Sequence, residues 1–167
     1  MINQKIHIFL LLFLAIGINS CGIYSFTGVN TLAKSITVNN FTSVVSNGPP
    51  NMALDLTERL KEYYQRNSQL SLADKDGDLI LNGKITRFQV TPISATGTDV
   101  AAQNRLSIAV EVEYVNNIEE KKDFTQTFSF YSDFPQTQTL SQVEADKVDE
   151  IFEQIVLDIF TKTIADW

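Results

Sequence analysis

Between residues 103 and 115 apolar and polar side chains alternate without a break. Leu106, Ile108, Val110, Val112 and Tyr114 fall in one set; Arg105, Ser107, Ala109, Glu111 and Glu113 fall in the other. A strand, with its side-chain period of two, puts each set on a single face, so the segment predicts a strand with one buried side and one side toward water or a polar partner. The rest of the chain has to give that strand neighbours and cover its apolar side.

Candidate neighbours flank it. Residues 79–90 read as a strand stopped by Pro92. Leu79, Leu81 and Ile85 share a face, and the pattern then moves to Phe88 and Val90, a change of parity that predicts a bulge near Thr86-Arg87. Residues 123–131 read as another strand, with Phe124, Phe128 and Phe130 on its apolar side. The small-residue loop 94–102 and the polar turn 116–122 would join these three segments as an antiparallel meander, followed by a loop at 132–139. A β-branched stretch at 35–41 predicts one more strand, and 70–73 a short extended piece.

Two stretches of helical period supply the cover. In 52–66, Met52, Leu56, Leu60, Tyr63 and Tyr64 recur at helical spacing behind the turn 46–51, with Asn51 as the expected cap and Asp55, Glu58, Arg59 and Glu62 on the wet side. Ser141 and Glu144 have capping-box spacing and open a second helix to about residue 164, with Val148, Ile151, Phe152, Ile155, Ile159 and Phe160 as its stripe. Acids at 144, 146, 149 and 150 suit the positive end of its dipole. The order β-α-β-β-β-α predicts an α+β two-layer sandwich: two helices packed on one face of a roughly four-stranded, mostly antiparallel sheet.

The N-terminus reads as an address. Lys5 precedes an apolar run, 6–18, that is short for a membrane span and suits the core of a secretory signal. It ends Ile18-Asn19-Ser20-Cys21, which resembles the lipobox of bacterial lipoproteins. Ser20 is small enough for the peptidase, and Cys21 would take a diacylglyceryl thioether and an acyl group on its freed amine. Each buried CH₂ contributes about 0.8 kcal/mol, so several chains on one residue anchor firmly. The expected organisation is a signal peptide at 1–20, a lipid-anchored tether at 21–34 and one folded domain at 35–167. Taking the 20-residue leader from the 167-residue chain leaves 147 residues with 12 basic and 20 acidic side chains, a formal charge of −8. Gly22 is not an acidic inner-membrane retention signal, which by the same resemblance favours the outer membrane, on its periplasmic side.

Several functions are poorly served by this composition. The acidic balance argues against a nucleic-acid partner. The single His, His7, lies in the leader and the single Cys is the acylation site, so the mature chain would hold neither a Ser-His nor a Cys-His pair, no disulfide and no Cys-rich zinc site. Asp74, Asp76 and Asp78 imitate the start of a calcium loop, but its sixth and twelfth positions fall on Leu79 and Ile85, so a solvated turn is the reading. The acids otherwise sit on wet faces and turns. The expectation is a protein with no catalytic residues, metal or cofactor. Lys84, Arg87 and Arg105 fall on neighbouring strands as a candidate contact for a phosphate group; cross-strand pairing with Glu111 or Glu113 is the favoured alternative. The polar face of 103–115 and the loop 94–102 are candidates for docking on a partner. Trp167 stays open between packing and anchoring.

The sequence Cys21-Gly22-Ile23-Tyr24-Ser25-Phe26, the strand SITVNNF, Gly77-Asp78-Leu79, the segment Ala101-Ala102-Gln103-Asn104-Arg105-Leu106 and the closing stretch 151–167 occur in an order that resembles the LptE-type lipopolysaccharide-assembly lipoproteins. The resemblance spans essentially the whole mature chain. It implies an outer-membrane lipoprotein that partners the LptD β-barrel as plug and assembly factor, supporting passage of lipopolysaccharide to the outer leaflet, with lipopolysaccharide itself a further binding partner. The alternative is a periplasmic lipid-binding or transport-auxiliary lipoprotein, which predicts a lipid held between helices and sheet.

Overall fold

The computed structural model describes residues 32–93 and 102–164. The leader, Cys21, most of the tether, nearly all of the loop 94–102 and Trp167 lie outside the described residues. In chain order the elements are β1 (Ser35–Val38), β2 (Thr42–Ser43), α1 (Met52–Asn67), β3 (Ser71–Leu72), β4 (Leu79–Ile93), β5 (Gln103–Asn116), a 3₁₀ turn (Glu120–Lys122), β6 (Phe124–Pro135) and α2 (Leu140–Ile164).

The strands make one six-stranded sheet in the order β3-β1-β4-β5-β6, with β2 also pairing with β4. β4, β5 and β6 form the expected antiparallel meander. β1, β2 and β3 add three short parallel pairings. β1 and β4 run parallel because α1 carries the chain back across the sheet between them. The sheet thus has six strands where roughly four were expected: the 35–41 stretch is strand only over Ser35–Val38, β2 follows it at Thr42–Ser43, and the 70–73 piece becomes β3.

β4 and β5 stay in register except between Ile85 and Arg87. Thr86 is the extra residue, its hydroxyl donating to the Ala109 carbonyl (3.3 Å). This is the bulge that the parity change predicts. Pro92 does not stop β4: it pairs with Asn104, and the strand runs to Ile93. β1 and β2 meet β4 only along residues 79–85, so Pro92 occupies an edge segment, where a missing N–H is tolerated. β6 likewise extends past 131 to Pro135, burying Phe134 completely. Of the three phenylalanines assigned to its apolar face, Phe128 is buried, Phe124 is partly covered and Phe130 is exposed. The pattern gives the face correctly, but β6 is the edge strand and its helical cover is incomplete.

Both caps differ from the sequence reading. Asn51 holds the cap position of α1 without a side-chain bond; its carbonyl takes the Asp55 N–H (2.9 Å). In α2 the capping box lies two residues earlier than Ser141-Glu144. The Thr139 N–H donates to Gln142 Oε1 (2.8 Å), and α2 starts at Leu140.

Both helices lie on the apolar side of the sheet. Leu56 and Leu60 of α1 and Ile151, Phe152, Ile155 and Ile159 of α2 have no exposed surface, and they meet Leu81, Ile85, Ile108, Val110 and Val112 in one contiguous core. Full burial of such a side chain is worth about 1.5–3 kcal/mol. At one end the Tyr64 hydroxyl is bonded to that of Thr163, whose carbonyl accepts from Tyr114 Oη (3.4 Å). Burial pushes the Tyr64 phenol well above its ordinary pKa. Arg59 bridges the helices to Asp149 (2.6 Å).

The acidic turn has a structural task. Asp78 Oδ2 accepts the N–H groups of Lys34 (2.7 Å) and Ser35 (3.1 Å), and the Gly77 N–H donates to Thr37 Oγ1 (3.0 Å). The turn is thereby fastened to the start of β1, and the Lys34 N–H leads the donors that hold the Asp78 carboxyl below its usual range.

Gly83 occupies an inward position of β4, and the Phe41 ring fills the space its side chain would take: a Cβ there would lie 2.2 Å from Phe41 Cε2. Gly83→Val is therefore expected to lower stability by about 1–3 kcal/mol through overpacking. Urea unfolding should show a lower midpoint at unchanged slope. Combined with Phe41→Leu, the loss should be smaller than the sum of the two single losses.

Candidate docking face of the sheet

With both helices on one side, the other side of β4, β5 and β6 is left without a covering element among the described residues. Its side chains follow from the register. Successive rows are Asn82–Glu113–Thr125, Lys84–Glu111–Thr127, Arg87–Ala109–Ser129, Gln89–Ser107–Tyr131 and Thr91–Arg105–Asp133. Short hydroxyl and amide side chains dominate. The charged members are three cations, Lys84, Arg87 and Arg105, and three anions, Glu111, Glu113 and Asp133, so the face is balanced although the chain is acidic. The surplus acid lies elsewhere: α2 alone carries six acids against two lysines.

Most of these charges are engaged within the face. Lys84 Nζ meets Glu111 Oε1 at 2.7 Å, the cross-strand pair that the sequence favours. Glu113 accepts from Asn82 Nδ2 (3.1 Å), and Asn82 in turn accepts from Asn39 (2.7 Å). Arg105 pairs with neither glutamate. Its Nε and an Nη bond both oxygens of Asp133 (2.7 and 2.9 Å), and its guanidinium lies 3.6 Å from the centre of the Tyr131 ring. A two-pronged ion pair with a ring beneath it fixes the guanidinium plane, which a lysine could not reproduce. The Arg105 hydrogen bond pulls the Asp133 carboxyl below its ordinary pKa, and Asp133 raises that of Arg105.

The three cations named from sequence therefore do not converge. Lys84 and Arg87 occupy adjacent rows, roughly 7 Å apart along the strand, and Arg105 lies roughly 14 Å beyond Arg87. Arg87 is exposed opposite Ala109 and forms no ion pair among the described residues. The sequence reading missed Asp133 and Tyr131 as partners of Arg105. The signal was present: Asp133 continues, past the expected strand end at Tyr131, the outward alternation of Ser129 and Tyr131.

Among the described residues no group of His, Cys, Asp or Glu is arranged to hold a metal ion, and no helix is long and apolar enough to cross a membrane. What the face offers among the described residues is hydrogen-bonding capacity, the Arg87 guanidinium outside any ion pair and an ordered Arg-Tyr-Asp cluster, the chemistry of recognition.

The sequence profile of the family described as LptE, Lipopolysaccharide-assembly, matches residues 33–163. No curated protein matches the sequence. Several solved structures are similar. A minor lipoprotein from Acinetobacter baumannii is 14% identical with a TM-score of 0.54, over 81% of this chain and 95% of that one. A protein from Xanthomonas campestris is 11% identical with a TM-score of 0.55, over 80% and 85%. Lipoprotein B from Nitrosomonas europaea is 11% identical with a TM-score of 0.52, over 80% and 83%. At such identities the likeness is one of fold.

The Asp133 pair has a consequence for stability. A carboxyl whose folded pKa is depressed contributes stability above its unfolded pKa, about 3.9, and loses it as pH falls through the folded value. Denaturation midpoints of the intact protein should fall between about pH 5 and pH 2, and Asp133→Asn should flatten that fall. An unchanged slope in the variant would remove the pair as a contributor.

Proposed function

The chain belongs to the LptE lipopolysaccharide-assembly family, and from that premise we propose that it is a lipid-anchored, non-catalytic partner of an LptD-type outer-membrane β-barrel. In this reading it serves as plug and assembly factor for the passage of lipopolysaccharide to the outer leaflet. Cys21, acylated after removal of residues 1–20, ties it to the outer membrane from the periplasmic side. The observation that carries the proposal is the family match across residues 33–163. The uncovered, charge-balanced face of β4, β5 and β6 supports it, because a hydrophilic sheet suits the polar interior of a large barrel.

The helix–sheet layer bears on the alternative. A lipid carrier of this architecture would hold its cargo between helices and sheet. Here that layer is filled by the contiguous core of Leu56, Leu60, Ile85, Ile108, Ile155 and their neighbours, which favours a protein that is gripped over one that encloses a lipid. Direct contact with a phosphate of lipid A is a secondary part of the proposal. It falls first to Arg87, with Lys84 beside it. Arg105 would join only by leaving Asp133, and the acidic remainder of the molecule opposes a long stay of a phosphorylated ligand.

Depletion of the protein tests the proposal. The barrel should accumulate misassembled, and lipopolysaccharide should disappear from the cell surface while its synthesis continues. Replacement by a Cys21→Ala variant should leave the chain unacylated by mass spectrometry and fail to restore surface lipopolysaccharide. Normal barrel assembly after depletion would overturn the proposal.

A further inference from the structure

β6 forms an edge of the sheet: among the described residues it pairs with β5 alone. Soluble proteins usually protect a long edge with lysines, a proline, a bulge or a covering segment. β6 has little such protection. Its twelve residues pair with β5 without a register shift, Pro135 stands only at its end, and its one charged side chain, Asp133, is held by Arg105. A row of backbone donors and acceptors is thus presented along a strand of unbroken register with one, already paired, charge, which suits the addition of another strand.

Two further observations describe what fits beside it. Phe130 and Tyr131 are 37% and 47% exposed, their rings stacked with centroids 5.7 Å apart, and Arg105 lies on the Tyr131 ring. Exposed aromatics with an ordered arginine are the residue types that anchor interfaces. The second observation is charge. α2 runs along β6, with Glu150 accepting from Ser132 at one end and Lys162 near the Phe124 ring at the other. One of its two lysines, Lys147, is engaged with Glu150, leaving Asp146, Glu153 and Asp158 to dominate its wet side, and Leu157, seven residues from Glu150, is exposed between them. A second copy of this chain pairing edge to edge would set two such acidic helices side by side. A cationic segment would be drawn in.

We propose that β6 is the receiving edge for an extended segment of a partner protein that bears lysine or arginine, which adds as a further strand and lays its cations along α2. The proposal concerns how a partner is held and stands apart from which protein supplies the segment.

A crosslinking walk in cells producing the full-length chain tests it. A photoreactive benzoylphenylalanine is placed in turn at Thr125, Thr127 and Ser129, all exposed on β6, and each adduct is mapped to the residue by mass spectrometry. Strand addition requires that each step of two residues on β6 moves the adduct by two residues in the partner, always in one direction, within a segment carrying Lys or Arg. Phe130→Lys should reduce adduct yield about tenfold while the variant's circular dichroism stays that of the folded chain, and Tyr131→Ala, at a 47% exposed position, should reduce it in the same direction. Adducts to a second copy of this chain, adducts without a constant register, adducts to an acidic segment, or no adduct at all three positions would each overturn it.

Discussion

The two-residue period of β5 is the constraint on which the molecule depends. β5 is paired with β4 from Gln103 to Asn116 and with β6 from Gln103 to Tyr114, so its alternation is imposed on both neighbours through the register. Row by row this places Leu81, Tyr114 and Phe124, or Ile85, Val110 and Phe128, on the dry side. It places Lys84, Glu111 and Thr127 on the wet side. A slip of one residue would exchange the two sets, so the pairing is strongly specified. The helices answer the dry face, and among the described residues no element covers the wet one.

That division also sorts charge. The open sheet face carries equal numbers of cations and anions, most joined to one another, while α2 holds the acidic excess. The molecule therefore presents a neutral hydrogen-bonding surface on one side and a negative ridge on the other. Interfaces built from such surfaces gain more in specificity and orientation than in raw affinity.

Much of this was legible in the sequence, for reasons that can be named. The β5 alternation, the parity change at Thr86 and the apolar stripes of both helices are local patterns tied directly to backbone period, and each is found where it was expected. What escaped was decided by neighbours. Pro92 reads as a strand end, because proline is excluded from the middle of sheets; it is tolerated where β1 and β2 have already stopped pairing with β4. Phe130 shares a period with Phe128, yet only the position of α2 determines which of them is covered. The cap of α2 moved from Ser141 to Thr139 because two overlapping candidates exist, and only the fold selects between them. At the candidate site, Lys84 and Glu111 were legible as opposite residues on adjacent strands. The Arg105–Asp133–Tyr131 cluster was not, since the sequence pattern ends the strand at Tyr131 and places Asp133 in a loop. The outcome for Lys84, Arg87 and Arg105 shows the limit of reading a patch from strand membership: register spreads them along the sheet and gives two of them partners.

The proposal that a larger membrane protein holds this small helix-backed sheet rests on the family match across residues 33–163. Its most direct test is affinity purification of the intact, acylated chain from solubilised outer membranes under mild detergent, followed by quantitation of what accompanies it. A large β-barrel protein recovered in equimolar amount is the expected result. A chain recovered by itself from membranes in which such a barrel is abundant would contradict it.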